Sequence, residues 1–179
     1  MTASAEPPLA QFWWLHDARW YQGVLKRFGP DAANEINEEA AKFVARRVAR
    51  WCAGRYGIRF RGQSLEDFLK EFSRIPSVMF PDDGHMRVKY TVLDPSTWET
   101  AVSDVFPKRM LRAAGTQDGY RCPCMGIRSG FFEGVGLACR DERLECELDG
   151  GQVCRFRTSL TPRGDTRGAE TAPAHGTAP

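Results

Sequence analysis

The sequence predicts an α/β protein of the α+β type, an antiparallel sheet with helices packed on it. Apolar residues recur at spacings of three and four through the first third of the chain. An alternating stretch follows in the middle, and a cysteine-bearing β-hairpin closes the folded part. Each hairpin pairs its two strands antiparallel.

The chain has 179 residues, of which 42% are hydrophobic and 11% aromatic. That is one domain with enough apolar material for a core, so disulfide staples are unnecessary. Residues 1–8 and 161–179 are small, polar and rich in Pro or Gly, and are expected to be loose ends of a domain spanning 9–160. A net charge of +2, with arginines scattered among acids, gives no polyanion-binding signal, so no nucleic-acid partner is expected. No apolar run approaches the roughly 18 residues of a membrane span. No basic, apolar leader opens the chain, so the expected location is cytoplasmic.

Helix one is expected over Leu9–Phe28, with Phe12, Trp13, Trp20, Tyr21, Val24, Leu25 and Phe28 as its apolar stripe. Gly29-Pro30 ends it. Helix two runs to Ala53, with Ile36, Ala40, Phe43, Val44, Val48 and Trp51 as its stripe. Acids crowd its first half and arginines its second, which suits the helix dipole. Ser64 caps a short helix that stops at Pro76. Val78–Phe80 and Met86–Leu93 read as the arms of a β-hairpin about Pro81–Gly84, and Asp94-Pro95 as the start of a further helix reaching Leu111.

Five of the six cysteines fall between Gly119 and Arg157. In a reducing compartment such a cluster points to metal or catalysis rather than disulfides. Cys122 and Cys124 sit two apart on extended chain, so their thiols share a face. Met125–Val135 reads as a short helix. The turn Asp149-Gly150-Gly151 joins two strands and sets Cys146 directly opposite Cys154. Two same-face pairs, Cys122/Cys124 and Cys146/Cys154, could close on one ion. Four thiolates suit zinc in a structural site. Cys139, an odd number of residues from Cys146, faces the other way unless a bulge brings it back in place of Cys124. Cys52 reads as a small buried hydrophobe.

Cys122, Ser129-Gly130-Phe131, Glu145-Cys146, Gly150 or Gly151 and Cys154-Arg155-Phe156 together resemble the 4-vinyl-reductase-type small-molecule-binding domain of phenol-sensing bacterial activators. The resemblance spans 122–156. It implies a ligand pocket between helices and sheet beside a structural zinc held by three cysteines and a glutamate. The cysteines fall on Cys122, Cys146 and Cys154. The glutamate falls on Arg143, a departure that implies Cys124 as replacement or loss of the metal. More loosely, the Trp-rich first helix and the Asn-bearing helix after it resemble an uncharacterised bacterial family akin to 2-amino-thiazoline-4-carboxylate hydrolases.

Candidate pocket residues are His16 and Asp17 among the tryptophans of helix one, Asn37 near the stripe of helix two, and Glu133 on the short helix. Asn34 and Asn37 are unusual inside a helix. His85 and His175, in a turn and in the tail, are poor candidates. The leading functional expectation is a zinc-stabilised domain that binds a small, partly apolar metabolite as a sensor or accessory protein. The alternatives are a small-metabolite enzyme, such as a hydrolase of a nitrogen heterocycle, and a thiol-redox protein using Cys122 and Cys124. Trp13 and Trp14 leave aromatic surface that a homodimer could use.

Overall fold

Gly29 divides the longest element. Helix α1 runs Leu9–Tyr56 with a kink at Gly29, whose φ of 83° and ψ of 174° lie outside the helical region. A side chain is strained at such a φ, and Pro30 behind it removes a backbone donor, so the sequence bends there as Gly-Pro requires. This is a computed structural model, and it describes residues 9–81, 86–113, 115 and 117–161. The expected loose ends, residues 1–8 and 162–179, lie outside it, as do His85 and His175. Among the described residues no helix is long and apolar enough to cross a membrane.

Helices α2 (Leu65–Phe72) and α3 (Arg74–Met79) follow α1, then strands β1 (Arg87–Asp94) and β2 (Thr97–Ser103), helices α4 (Phe106–Ala113) and α5 (Cys124–Val135), and strands β3 (Cys139–Glu145) and β4 (Cys154–Leu160). The four strands form one sheet in the order β1-β2-β4-β3, and every pairing is antiparallel. This is the α+β fold the sequence predicts, with the cysteine-bearing hairpin β3–β4 at its end.

Two middle segments differ from the sequence reading. Val78 and Met79 belong to helix α3, not to a strand, and the partner of β1 is β2. Asp94 does not start a helix. Its carboxylate accepts from the backbone N–H and the hydroxyl of Ser96, both at 2.8 Å, and so closes a tight turn. Beyond the turn, Trp98 and Thr100 point into the core while Glu99 points out, the period-two pattern of a strand.

The core lies between the sheet and the helices. Phe68, Phe72, Ile75, Trp98, Phe131 and Phe132 fill it. Ser64 caps α2 as expected, its hydroxyl accepting from the Asp67 N–H at 3.1 Å.

The apolar stripes assigned to α1 are largely not its buried face. Phe12, Trp13, Trp20, Phe28, Ile36, Phe43, Val44 and Trp51 are exposed. Before the kink Tyr21 and Val24 of the assigned stripe are buried, but past it the buried face is small: Ala33, Ala45, Ala49, Cys52 and Ala53. Its partner is α5, whose Gly126, Gly130 and Gly134 recur one turn apart against Glu38, Lys42, Ala45, Arg46 and Ala49. A Cβ added at Gly130 would meet the Lys42 carbonyl oxygen at 2.5 Å. The two backbones therefore approach closely, and small residues win the interface over large ones.

Candidate functional site

The start of α5 is where helices, sheet and loop meet. The chain is held just before it by Asn34, a mid-helix asparagine that is 4% exposed. Its Oδ1 accepts from the Tyr21 hydroxyl at 3.0 Å and the Arg121 N–H at 2.8 Å, and its Nδ2 donates to the Gly119 carbonyl at 2.7 Å. One side chain thus fixes both halves of kinked α1 against residues 119–121. Cys122 and Cys124 follow, on either side of Pro123, the residue that caps α5.

The sheet brings the other thiols. Cys154 opens β4 and Cys146 follows β3. A bulge between Arg143 and Glu145 shifts the hairpin register by one. The connection is a 3₁₀ turn, Glu147–Asp149, rather than a three-residue loop, and the Glu145 carboxylate accepts from the Gln152 N–H at 2.8 Å to hold it. Past the bulge Cys146 and Cys154 stand across from one another, their Sγ atoms 3.7 Å apart. The sulfurs of Cys122, Cys124 and Cys154 all lie within 4.8 Å of one another, a group that could hold a metal ion. Cys146 stands beside this triangle through Cys154. Cys139 packs instead against the main core, so the bulge does not bring it to the cluster.

Lys108 of α4 completes the group. It is 4% exposed, and its Nζ donates to Cys154 Sγ at 2.6 Å with Glu147 3.8 Å away. Hydrogen bonds from Cys122 and Cys124, joined by that from Lys108, hold the Cys154 thiol far below its ordinary pKa. Hydrogen bonding with Cys122 and Cys154, added to burial, pushes Cys124 well up.

Against the cluster lies a cavity of about 170 Å³, lined by Trp14, Tyr21, Asn37, Leu111, Tyr120 and Cys122 among others. An apolar chamber of about 70 Å³, between α5 and the sheet, shares Phe80, Val105, Cys124 and Ile127 with it as walls. Two buried polar atoms here have no hydrogen-bond partner, Asn37 Nδ2 in the larger cavity and Thr100 Oγ1 in the smaller. Asn37 lies against the Tyr120 hydroxyl, close enough for its amide to bear on the phenol's ionisation, but the contact falls short of a well-formed hydrogen bond from Nδ2. Burial, with Cys122 alongside, raises the Tyr120 phenol well above its usual pKa, so its hydroxyl stays protonated.

Of the residues singled out in the sequence, Asn37 lines the cavity. Asp17 also borders it, with its side chain 76% exposed at the mouth. His16 is on the outer surface, 3.4 Å from Asp17 and edge-on to Trp13, and lines no part of the cavity. Glu133 does not face a pocket either. It binds Lys42 at 2.7 Å across the α1–α5 contact, and that partner lowers its pKa. Arg143, where the resemblance expects a glutamate ligand, pairs with Asp149 at 3.4 Å. Lys108, Tyr120 and Thr100 escaped the sequence reading. Only their neighbours hint at them: Lys108 is one turn before buried Leu111, and Thr100 alternates with Trp98.

Helices laid on an antiparallel sheet of order β1-β2-β4-β3 are a fold seen in known proteins. The phenol-responsive sensory domain of the transcription activator PoxR, in complex with phenol, superposes with a TM-score of 0.58 at 16% identity, over 80% of this chain and 72% of that one. A trafficking protein particle complex subunit 3 from Naegleria fowleri, covalently bound to palmitic acid, superposes with a TM-score of 0.55 at 13% identity, over 86% of this chain and 95% of that one. No protein-family model matches the chain, and no curated protein matches it in sequence.

Proposed function

We propose that this is a zinc-stabilised small-molecule-binding domain, whose ligand enters the cavity between α1, α4 and α5 and meets Asn37. The observation that carries the reading is a mostly apolar cavity into which the Asn37 amide points, beside Tyr120, with no well-formed hydrogen bond from its Nδ2. A buried amide donor without a partner destabilises a fold by about 1–3 kcal/mol, and such a defect persists where a ligand supplies the acceptor. Apolar walls from Trp14, Phe80, Leu111 and Ile127 fit a compact apolar body, and Asn37 fits an acceptor oxygen or nitrogen upon it. Two proteins of the same fold, one in complex with phenol and one covalently bound to palmitic acid, support a ligand-binding role.

The donor set fits zinc. Sulfurs bound tetrahedrally at about 2.3 Å stand roughly 3.8 Å apart, and Cys146 and Cys154 are already 3.7 Å apart. Cys122, Cys124, Cys146 and Cys154 would hold the ion, which would tie the start of α5 to the β3–β4 turn. Lys108 would offset part of the charge of four thiolates. Such an ion is structural; the ligand chemistry belongs to the cavity.

Metal analysis of protein purified without chelator is expected to find about one zinc per chain, lost in Cys154→Ser together with much of the thermal stability. Cys139→Ser is expected to keep the metal. Stable, metal-free wild type contradicts the zinc assignment. Phenol, titrated calorimetrically with a panel of substituted benzenes, probes the cavity. Saturable binding that weakens about tenfold in Asn37→Leu, while the unliganded variant becomes more stable, is the expected pair of results. Asn37→Leu that binds as wild type does removes Asn37 from the site.

A further inference from the structure

Helix α1 is apolar on two faces, and the molecule uses one. Beyond the kink, its alanine face packs on the glycines of α5, while Ile36 (38% exposed), Phe43 (55%), Val44 (47%) and Trp51 (55%) lie open on another. A helix apolar on both sides belongs between two partners, and a patch of large side chains this size marks an interaction surface.

The pattern specifies the second partner. The open face carries Ile36, Ala40, Phe43, Val44, Arg47 and Trp51. Their spacings of four, three, one, three and four read the same in either direction. Charge runs the opposite way: Glu35 and Glu39 lie exposed in the acidic half, Arg47 and Arg50 in the basic half. None of these four has an ion-pair partner among the described residues. Lys42 and Arg46, on the α5 side, are already engaged by Glu133.

We propose that the Ile36–Trp51 face of α1 is the two-fold interface of a homodimer, in which α1 of one copy packs antiparallel on α1 of a second. A two-fold axis between Phe43 and Val44 sets Ile36 against Trp51, Ala40 against Arg47 and Phe43 against Val44. It brings Glu35 and Glu39 of one copy alongside Arg50 and Arg47 of the other. An isologous interface must be self-complementary in this way, and a parallel arrangement would set acid on acid and base on base. The seam is about 22 Å long at 1.5 Å per residue. This assignment is independent of the ligand and of the metal.

Sedimentation of the full chain across a concentration series tests it. Wild type is expected to dimerise. Phe43→Glu, at a site exposed in the single chain, is expected to leave the circular dichroism and melting of the monomer intact and to weaken association about thirtyfold or more, as loss of a central anchor does. Glu39→Arg and Arg47→Glu are each expected to weaken the dimer, and the double variant to recover it, because the antiparallel arrangement then pairs the swapped charges. A wild type monomeric at all concentrations overturns the proposal. So does a dimer indifferent to Phe43→Glu, or one weakened further by the double charge swap.

Discussion

At Arg128 the burial of a charge is fully answered. Its guanidinium donates to both oxygens of Asp141, at 2.7 and 2.8 Å, and to the Thr158 hydroxyl at 2.8 Å. It also lies over the Phe156 ring at 4.4 Å and the Phe132 ring at 5.3 Å. Removing one member of a buried pair strands the other. Arg128→Ala is therefore expected to destabilise by about 3–5 kcal/mol, and Arg128→Met with Asp141→Leu by much less, as read by chemical denaturation. Equal losses in the two would show that the pair itself, and not a stranded Asp141, supplies the stability. Cys139 gives a second test at this scale. Burial, then the nearby Asp141, pushes its thiol up to about 12 from an ordinary 9.0. A raised folded pKa contributes stability that is whole below the unfolded value and is lost as pH rises from about 9 toward 12. Cys139→Ala is thus expected to flatten the alkaline fall in stability over that window, and an unchanged slope would assign the fall to other groups. Single residues were unevenly legible in the sequence. That Cys124 gathers with Cys122 could be read from their spacing, and the structure places Cys154 with them. Lys108 could not, because nothing local marks a lysine whose partner, Cys154, is 46 residues away.

Element by element, the contact between α1 and α5 decides how the helices lie. A rule that large apolar residues mark the buried face placed Tyr21 and Val24 correctly but assigned the wrong side of α1 beyond the kink. The information was present, but in the other helix: glycines at 126, 130 and 134, one turn apart, admit a backbone rather than a side chain. Gly130→Ala should gain about 1 kcal/mol of helix propensity. The added Cβ nevertheless meets the Lys42 carbonyl oxygen and the Arg46 backbone nitrogen, which cannot rotate away. A net loss of about 1–3 kcal/mol is expected, the usual effect of overpacking. Gly54→Ala is the control: exposed, helical and with nothing within 4 Å of the new methyl. It is expected to stabilise slightly. If both substitutions stabilise, the helices are not in close contact at Gly130. The strands show the converse. Alternation in Met86–Leu93 was readable, while Thr97–Ser103 was masked by the Asp94-Pro95 signal, which serves equally for a helix start and for the turn that Ser96 completes.

For the whole molecule, the consequence of this arrangement is that α5 belongs to the cavity and the thiol cluster at once. Its first residue, Cys124, is in the metal-competent group and also walls both cavities, with Ile127 one turn on. Asn34 holds the preceding loop to α1, so the start of α5 cannot shift without disturbing Tyr21 and Tyr120, which line the larger cavity and meet edge-on at 5.1 Å. If zinc sets the position of Cys124, it sets the shape of the cavity, and the two ligands must be thermodynamically linked. Reciprocity then requires that zinc raise the affinity for phenol by the same factor by which phenol raises the affinity for zinc. We predict a factor of about five or more, at the lower end of measured couplings. Phenol titrations of zinc-loaded and chelator-stripped protein measure one arm, and competition with a zinc chelator in the presence and absence of phenol measures the other. Should stripped protein unfold, the chelator competition still reads whether saturating phenol holds zinc on the chain, with the folding of the stripped chain included in the coupling. Zinc affinity indifferent to saturating phenol would separate the two sites, leaving the thiol cluster as a staple for the β3–β4 turn and the cavity as a property of the helices alone.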